Sequence, residues 1–364
     1  MSFPTSIDEI TPEWLTDALK STDAIRDSTV KSFETTILGE GAGFIGQLAR
    51  LTLSYDQPET GSPSALVAKA PALAPENRQL GDLFRFYERE CRFYEDLATR
   101  VELRTPRCYY IGMDTQRGDF LLLLEDLAPA DVGDQLKGCS STEVELALGD
   151  LGPFHAGWWG SPHLDELEWM PTLNDPLIVG TLEQAYQDIW DQFLDRFQAG
   201  LTSSMLHTAE RFGKHLDKVT ARLAEPPCTI VHGDYRLDNM FFGTDGSEPV
   251  LTMIDWQIAS KGRGVFDVAY FLTGTLEPNE RRSKEVDLLK RYHQSLVQAG
   301  VSGYSYEQCF LDYRLSALYC LVYAVIGGGS VDLVNDRAVA IWTAIVERDF
   351  AAVEDLDAAD LLPA

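Results

Sequence analysis

Two short stretches in the second half of the chain constrain it more than any others: His232-Gly233-Asp234-Tyr235-Arg236-Leu237-Asp238-Asn239 and Met253-Ile254-Asp255-Trp256. In the first, an aspartate stands two residues after a histidine, and an asparagine follows five residues later. The second is an apolar, strand-like run that ends in an aspartate. An HGD tripeptide alone arises by chance in ordinary turns. The two stretches together, in this order and each behind an apolar run, carry far more weight.

Asp234, Asn239 and Asp255 form a coherent chemical set. Phosphoryl transfer needs little covalent help from a protein. It needs a carboxylate to orient and deprotonate the acceptor hydroxyl, and oxygen ligands that hold Mg²⁺ against the phosphates. The H-x-D-x-x-x-x-N spacing matches the kinase catalytic loop, and Asp255 stands where a kinase places its second metal-binding carboxylate. On this reading Asp234 is the catalytic base, with Asn239 and Asp255 as metal ligands.

A chain of 364 residues exceeds what one hydrophobic core organises, so two lobes are expected. Residues 1–20 are mixed and acidic, with no charged-then-apolar leader. The longest apolar run, residues 315–326, is too short to span a bilayer and reads as a buried helix. A cytoplasmic protein with no membrane span is therefore expected. Six scattered cysteines without a CxxC pair read as reduced thiols rather than a disulfide or zinc framework. A net charge of −27 argues against a nucleic-acid partner, whose phosphates would be repelled. Residues 1–124 carry 13 basic and 19 acidic groups, and residues 125–364 carry 17 and 38. That excess reads as a solubilising surface, with a cation-friendly acceptor pocket as the alternative.

Along the chain, Thr11-Pro12-Glu13 opens a short helix with a cap, a proline and an early negative charge. A strand over residues 31–38 leads into Gly39-Glu40-Gly41-Ala42-Gly43-Phe44-Ile45-Gly46. Gly41, Gly43 and Gly46 fit G-x-G-x-x-G, a pattern that dinucleotide-binding folds share. Leu51, Leu53 and Tyr55 then alternate with polar residues, which marks a strand, whereas a dinucleotide fingerprint would run into a helix. A glycine loop between two strands suits backbone N–H groups approaching phosphates; a plain glycine-rich hairpin is the simpler alternative. Ala65-Leu66-Val67-Ala68-Lys69 is a third strand, ending like the V-A-I-K motif with Lys69 in the lysine position.

Residues 80–97 read as one helix. Glu90 has Phe86, Tyr87, Phe93 and Tyr94 at its i±3 and i±4 positions, so it lies on an aromatic, inward face, whereas Glu88 sits among Arg85 and Arg92. Glu90 is therefore the expected partner of Lys69. An apolar strand over 120–124 turns abruptly into Glu125-Asp126-Leu127, then Pro129, and marks a hinge between lobes. In the kinase arrangement the Glu125 carbonyl and the Leu127 N–H would face the adenine edge. Residues 128–228 are helical in pattern, with His155 among aromatics reading as a core histidine. Asp267 either caps a helix or braces the catalytic loop. Two last helices are expected over about 307–326 and 332–353, separated by Gly327-Gly328-Gly329.

HGDYRLDN, IDWQ and GVFDVAYFL together resemble the aminoglycoside phosphotransferase and choline kinase-like superfamily, in its ecdysteroid-kinase-like branch. The resemblance runs from the glycine loop to the helices after Asp267. It implies an α+β, two-lobed protein-kinase-like fold: a small N-lobe antiparallel sheet with one helix over residues 1–124, a hinge at 125–127, and a larger, mainly helical C-lobe over 128–364. It also implies transfer of the γ-phosphate of ATP (or GTP), with Mg²⁺, to a hydroxyl of a small molecule. Trp256-Gln257 stands where protein kinases have Phe-Gly, which removes the hinge glycine of an activation switch. Only eleven residues separate Asp255 from Asp267, which leaves little room for a peptide platform and favours a small acceptor. An antibiotic-inactivating enzyme of the aminoglycoside type and a nucleotide-binding pseudokinase scaffold are the alternatives. Neither the acceptor nor the oligomeric state is written in the sequence.

Overall fold

The computed structural model describes residues 2–39 and 45–363. The chain divides into two compact units, Met1–Ala130 with Ile254–Ile258, and Asp131–Met253 with Ala259–Ala364.

In the first unit, the Thr11 side chain accepts the Trp14 N–H and Pro12 sets the first turn of α1 (Pro12–Ser21). Then come β1 (Val30–Leu38), β2 (Gly46–Tyr55), β3 (Ala65–Pro71), α2 (Pro75–Leu83), α3 (Phe86–Arg92), β4 (Cys108–Asp114) and β5 (Asp119–Glu125). The strands form one antiparallel sheet in the order β1-β2-β3-β5-β4. Leu66, Ala68 and Ala70 of β3 join Leu51, Leu121, Leu123 and the α1 residues Leu15 and Leu19 in one apolar core. Because strand side chains alternate, Val67 and Lys69 must point to the other face. That parity puts a lysine on the face that α3 approaches through β4 and β5.

The single helix expected over 80–97 is interrupted. Arg85 adopts φ +54°, a left-handed conformation that ends α2, and α3 starts directly after it. A Cβ on Gly81 would lie 2.5 Å from the Tyr87 ring, so the two helices meet closely just before the break. A π-helical turn over Phe93–Leu97 follows α3. Among the described residues, α1, α2 and α3 lie in the N-terminal part beside its sheet. Gly41 and Gly43 lie outside the described residues.

The second unit contains β6 (Asp131–Val132), α4 (Ser141–Trp158), α5 (Pro176–Phe197), α6 (Ser203–Gly213), α7 (Leu216–Leu223), β7 (Thr229–Val231), β8 (Met240–Asp245), β9 (Glu248–Met253), β10 (Ser260–Gly262), α8 (Val265–Thr275), α9 (Pro278–Gln298), α10 (Tyr306–Ser330) and α11 (Asp336–Asp355). Small sheets, β6-β8-β9 and β10-β7, frame the HGD loop, and the rest is helical. The protein is a mixed α+β chain with an antiparallel N-terminal sheet and a helical C-terminal part.

The apolar run near residue 320 belongs to a longer helix than expected. Among the described residues, α10 is the one helix long and apolar enough to cross a membrane, and 72% of its apolar window is buried inside the structure. It packs on α5, α7, α8 and α11, which makes it the central helix of the unit. The expected break at Gly327-Gly328-Gly329 does not occur; the helix continues to Ser330. A Cβ on Gly327 would fall 2.2 Å from the Trp342 ring, and one on Gly329 would fall 2.5 Å from Ile189. Close approach of α11 and α5 outweighs the poor helix propensity of the three glycines. The six cysteines are free thiols.

Candidate active site

In the first unit, Lys69 Nζ lies 2.6 Å from Glu90 Oε2 and 3.0 Å from Asp255 Oδ1. Glu90 is buried on the inner face of α3, while Glu88 pairs with Arg85 and Glu95 with Arg92 at the surface. Burial pushes the Glu90 carboxyl up to about 7, against the pull of Lys69 and with added repulsion from Asp255. Burial works against the Lys69 ammonium too, yet Asp255 and Glu90 together hold its pKa above the ordinary lysine value. One cation thus serves two carboxylates that would otherwise repel each other.

Asp255 reaches Lys69 from a strained backbone, φ +65°. Such a conformation costs about 1–3 kcal/mol and persists only where its surroundings impose it. The neighbouring side chain supplies the constraint. Trp256 is fully buried and stacks on Phe93 with ring centroids 3.8 Å apart and planes 5° apart. The tryptophan that replaces the usual phenylalanine is therefore an anchor for the segment. Gln257 Nε2 donates to Asp255 Oδ2 at 3.4 Å.

Gly46, the last glycine of the loop pattern, opens β2 opposite Pro71, where a Cβ would sit 3.0 Å from the Ala70 carbonyl oxygen. At the end of β5, the Glu125 N–H donates to the Arg107 carbonyl at 2.8 Å, and its carboxylate accepts the Arg107 N–H at 3.0 Å. Asp126 pairs with Arg50 at 2.9 Å, and the Leu127 carbonyl accepts the Ala130 N–H at 2.9 Å.

In the second unit, β7 delivers the HGD loop. Asp234 Oδ2 accepts Asn239 Nδ2 at 2.8 Å, and Oδ1 accepts the Tyr270 hydroxyl at 2.8 Å. The Arg236 Nε lies 3.1 Å from Oδ1 and 3.2 Å from Oδ2. Burial raises the Asp234 pKa, but Arg236, Tyr270, His232 and Asn239 more than reverse it and hold the carboxyl below its ordinary value. The group is therefore held as a carboxylate. Asn239 spends its NH₂ on the Asp234 side chain and carbonyl, which leaves its amide oxygen for another partner.

Of the two roles open to Asp267, it takes the brace. Its carboxylate accepts the backbone N–H groups of His232 at 2.7 Å and Gly233 at 3.0 Å, while no side chain caps α8. His155 is fully buried and spans Asp267 Oδ2 at 3.2 Å and the Tyr292 hydroxyl at 2.8 Å. The core histidine thus supports the loop through Asp267. Gln135, buried after β6, accepts the Leu237 N–H at 3.1 Å and donates its own N–H to Asp238 at 3.1 Å. Tyr270, Arg236 and Gln135 were not singled out from the sequence. Arg236 and Tyr270 lay inside the quoted motifs, Tyr270 one helical turn after Asp267, whereas Gln135 carries no local signal, because only the packing of its segment brings it to the loop.

Among solved structures, choline kinase from Cryptosporidium parvum Iowa II is similar over 94% of this chain and 96% of its own, with a TM-score of 0.55 and 10% identity. The GDP complex of wild-type aminoglycoside 2'-phosphotransferase-IIIa is similar over 94% and 99%, with a TM-score of 0.53 and 16% identity. Ethanolamine kinase from Plasmodium vivax is similar over 90% and 84%, at 0.53 and 11%. At these identities the likeness is one of fold. Mouse acyl-CoA dehydrogenase family member 10 is 48% identical over 42 residues, which is 12% of this chain and only 4% of that relative's length. Residues 40–301 match the model of the ecdysteroid kinase-like family, and with its kinase-like fold the chain belongs to that family.

Proposed function

We propose that the protein is an ATP-dependent phosphotransferase of the cytoplasm that moves a γ-phosphate to a hydroxyl of a small molecule. The observation that carries this reading is Lys69 clasped between Glu90 and Asp255 in the first unit. A buried lysine shared by two carboxylates is a cation pre-set to meet phosphate oxygens once one carboxylate turns to another partner. The GDP complex among the fold neighbours supports nucleotide use, with ATP or GTP as donor. The glycine loop, including Gly41, Gly43 and Gly46, would cover the phosphates with backbone N–H groups, and the Glu125 carbonyl and Leu127 N–H would meet the base.

Asp255 and Asn239 offer a carboxylate and an amide oxygen, hard donors of the kind Mg²⁺ takes. Among the described residues no group of three or more His, Cys, Asp or Glu forms a metal cage. When bound, Mg²⁺ would neutralise charge on the phosphate oxygens. In the transfer itself, the acceptor oxygen bonds to the γ-phosphorus, its proton goes to Asp234, and the nucleoside diphosphate leaves.

The test is a screen of hydroxyl compounds for ADP formation with Mg²⁺ and ATP, with Asp234→Asn as the blank. The panel should span lipid-like alcohols, sterols, amino alcohols and aminoglycosides. A wild-type protein that forms neither ADP from ATP nor GDP from GTP above an enzyme-free control with any of them would refute the assignment.

A further inference from the structure

We propose that Tyr270 is a positioning residue that fixes the Asp234 carboxylate to the protein scaffold, a role that rests on Asp234 being the base. Asp234 is held by Asn239 and Arg236, both of which belong to the same loop and move with it. Among the described residues, the Tyr270 hydroxyl, at 2.8 Å from Oδ1, is the side-chain hydrogen bond to Asp234 that comes from outside that loop.

The sequence of α8 explains how one helix does this. Asp267 and Tyr270 are three residues apart and so share a helix face. Asp267 takes the backbone N–H groups of His232 and Gly233, and Tyr270 takes the side chain of the next residue. Three consecutive loop residues are thus pinned to a single rigid element, two by backbone and one by carboxylate. Tyr270 is itself immobilised, packing against Phe266 at 5.9 Å and edge-on against Tyr323 at 5.1 Å between ring centroids. Burial, with Asp234 beside it, pushes the phenol well above its ordinary pKa, so it stays a donor.

The geometric consequence is directional. With Oδ1 tied to Tyr270 and Oδ2 to Asn239, the carboxylate plane cannot rotate about its own axis without losing a short hydrogen bond. The lone pairs left over set the line along which an acceptor hydroxyl must approach. Without Tyr270, the carboxylate would still be charged and still held by Asn239 and Arg236 of its own loop, but nothing would tie its plane to α8.

Tyr270→Phe removes the hydroxyl and keeps the ring, and Tyr323→Phe is the control that alters the neighbouring ring without touching Asp234. Crystal structures of both variants should show the Asp234 carboxylate rotated or spread over several orientations in Tyr270→Phe, and unchanged in Tyr323→Phe. Hydrolysis of MgATP, with water in place of the acceptor, should show kcat reduced roughly ten- to a hundredfold in Tyr270→Phe with KM for MgATP unchanged. A carboxylate in the wild-type orientation in Tyr270→Phe overturns the proposal, as does an unaltered kcat. If the wild type forms no ADP with water or any hydroxyl compound, the phosphotransferase reading falls, and the crystallographic comparison still decides whether Tyr270 fixes Asp234.

Discussion

Asp255 and Asp234 are both mostly buried carboxylates, with 22% and 18% of their side chains exposed, and each meets a cation, yet they are held differently. Asp255 rides on a strained residue and faces a full positive charge, Lys69, which it shares with Glu90. Asp234 sits on a loop whose backbone is tied to α8, and its oxygens meet a phenol, an amide and a guanidinium. An ion pair shared with a second carboxylate is exchangeable, because Lys69 keeps a partner whichever side it leaves. Directional hydrogen bonds to fixed donors are not. The contrast fits the two jobs proposed for them: one carboxylate must admit a cation, and the other must hold still while a proton arrives.

The hardest blow to this comparison is Asp234→Asn. It keeps the shape but removes the proton acceptor and one of the oxygens that Asn239, Tyr270 and Arg236 donate to, so turnover should fall by about 10²–10⁴-fold with nucleotide affinity retained and the melting temperature somewhat lowered. Near wild-type transfer would mean that Asp234 is not the base.

On the exchangeable side, Asp255→Ala should abolish the Mg²⁺ dependence of ATP binding, measured by calorimetry with and without the metal. Lys69→Met should lower turnover by roughly a hundredfold and ground-state affinity by less, because its charge gains value as phosphate charge redistributes in a site closed to water. An affinity loss as large as the loss of turnover would show that Lys69 only binds.

A further contrast is between a buried acid with a cation and one without an ion pair. Asp349 on α11 is buried, and one of its carboxylate oxygens has no hydrogen-bond partner among the described residues. Burial pushes its carboxyl up to about 7, despite Thr273, Arg348 and Arg281. The folded value lies above the unfolded one, so from about pH 4 to about pH 7 the folded protein keeps a proton that the unfolded chain releases. Its contribution to stability therefore declines as pH rises through that window and is lost above it. Asp349→Asn should flatten this slope by on the order of 2 kcal/mol in urea unfolding at about pH 5 and about pH 7.5. An unchanged slope would assign the pH dependence elsewhere.

The smallest effects fall on α3. Glu90→Gln leaves Lys69 in place but less well fixed and should cost roughly tenfold in turnover. Glu88→Gln, which loses only a surface contact with Arg85, should cost nothing measurable.

What the sequence made legible follows a physical division. Glu90 could be picked from three glutamates because its neighbours at helical spacing are aromatic, and a local period reports which face is buried. The HGD loop and the IDW segment were visible because their chemistry is written in consecutive residues. The break at Arg85 and the unbroken α10 were not visible. In one a residue with no special propensity takes a left-handed turn, and in the other three glycines continue a helix because Trp342 and Ile189 need the space. Gln135 was hidden for the same reason: its meaning lies in what packs against it, and no window of adjacent residues contains it. Tyr270 stood one turn after Asp267 in a quoted motif, but its bond to Asp234 depends on how α8 packs.

The membership of Ile254–Ile258 in the first unit also bears on the order in which the protein can be completed. On the ribosome the N-terminal 130 residues emerge long before Trp256, so the surface of Phe93 that the indole covers stays open while Asp131–Met253 is synthesised. A message interrupted anywhere in that interval yields a sheet and helices without Asp255 and without the ring that anchors it. The lysine then has Glu90 alone as its acidic partner. The first unit is thus finished by residues that arrive only after the HGD loop has been made.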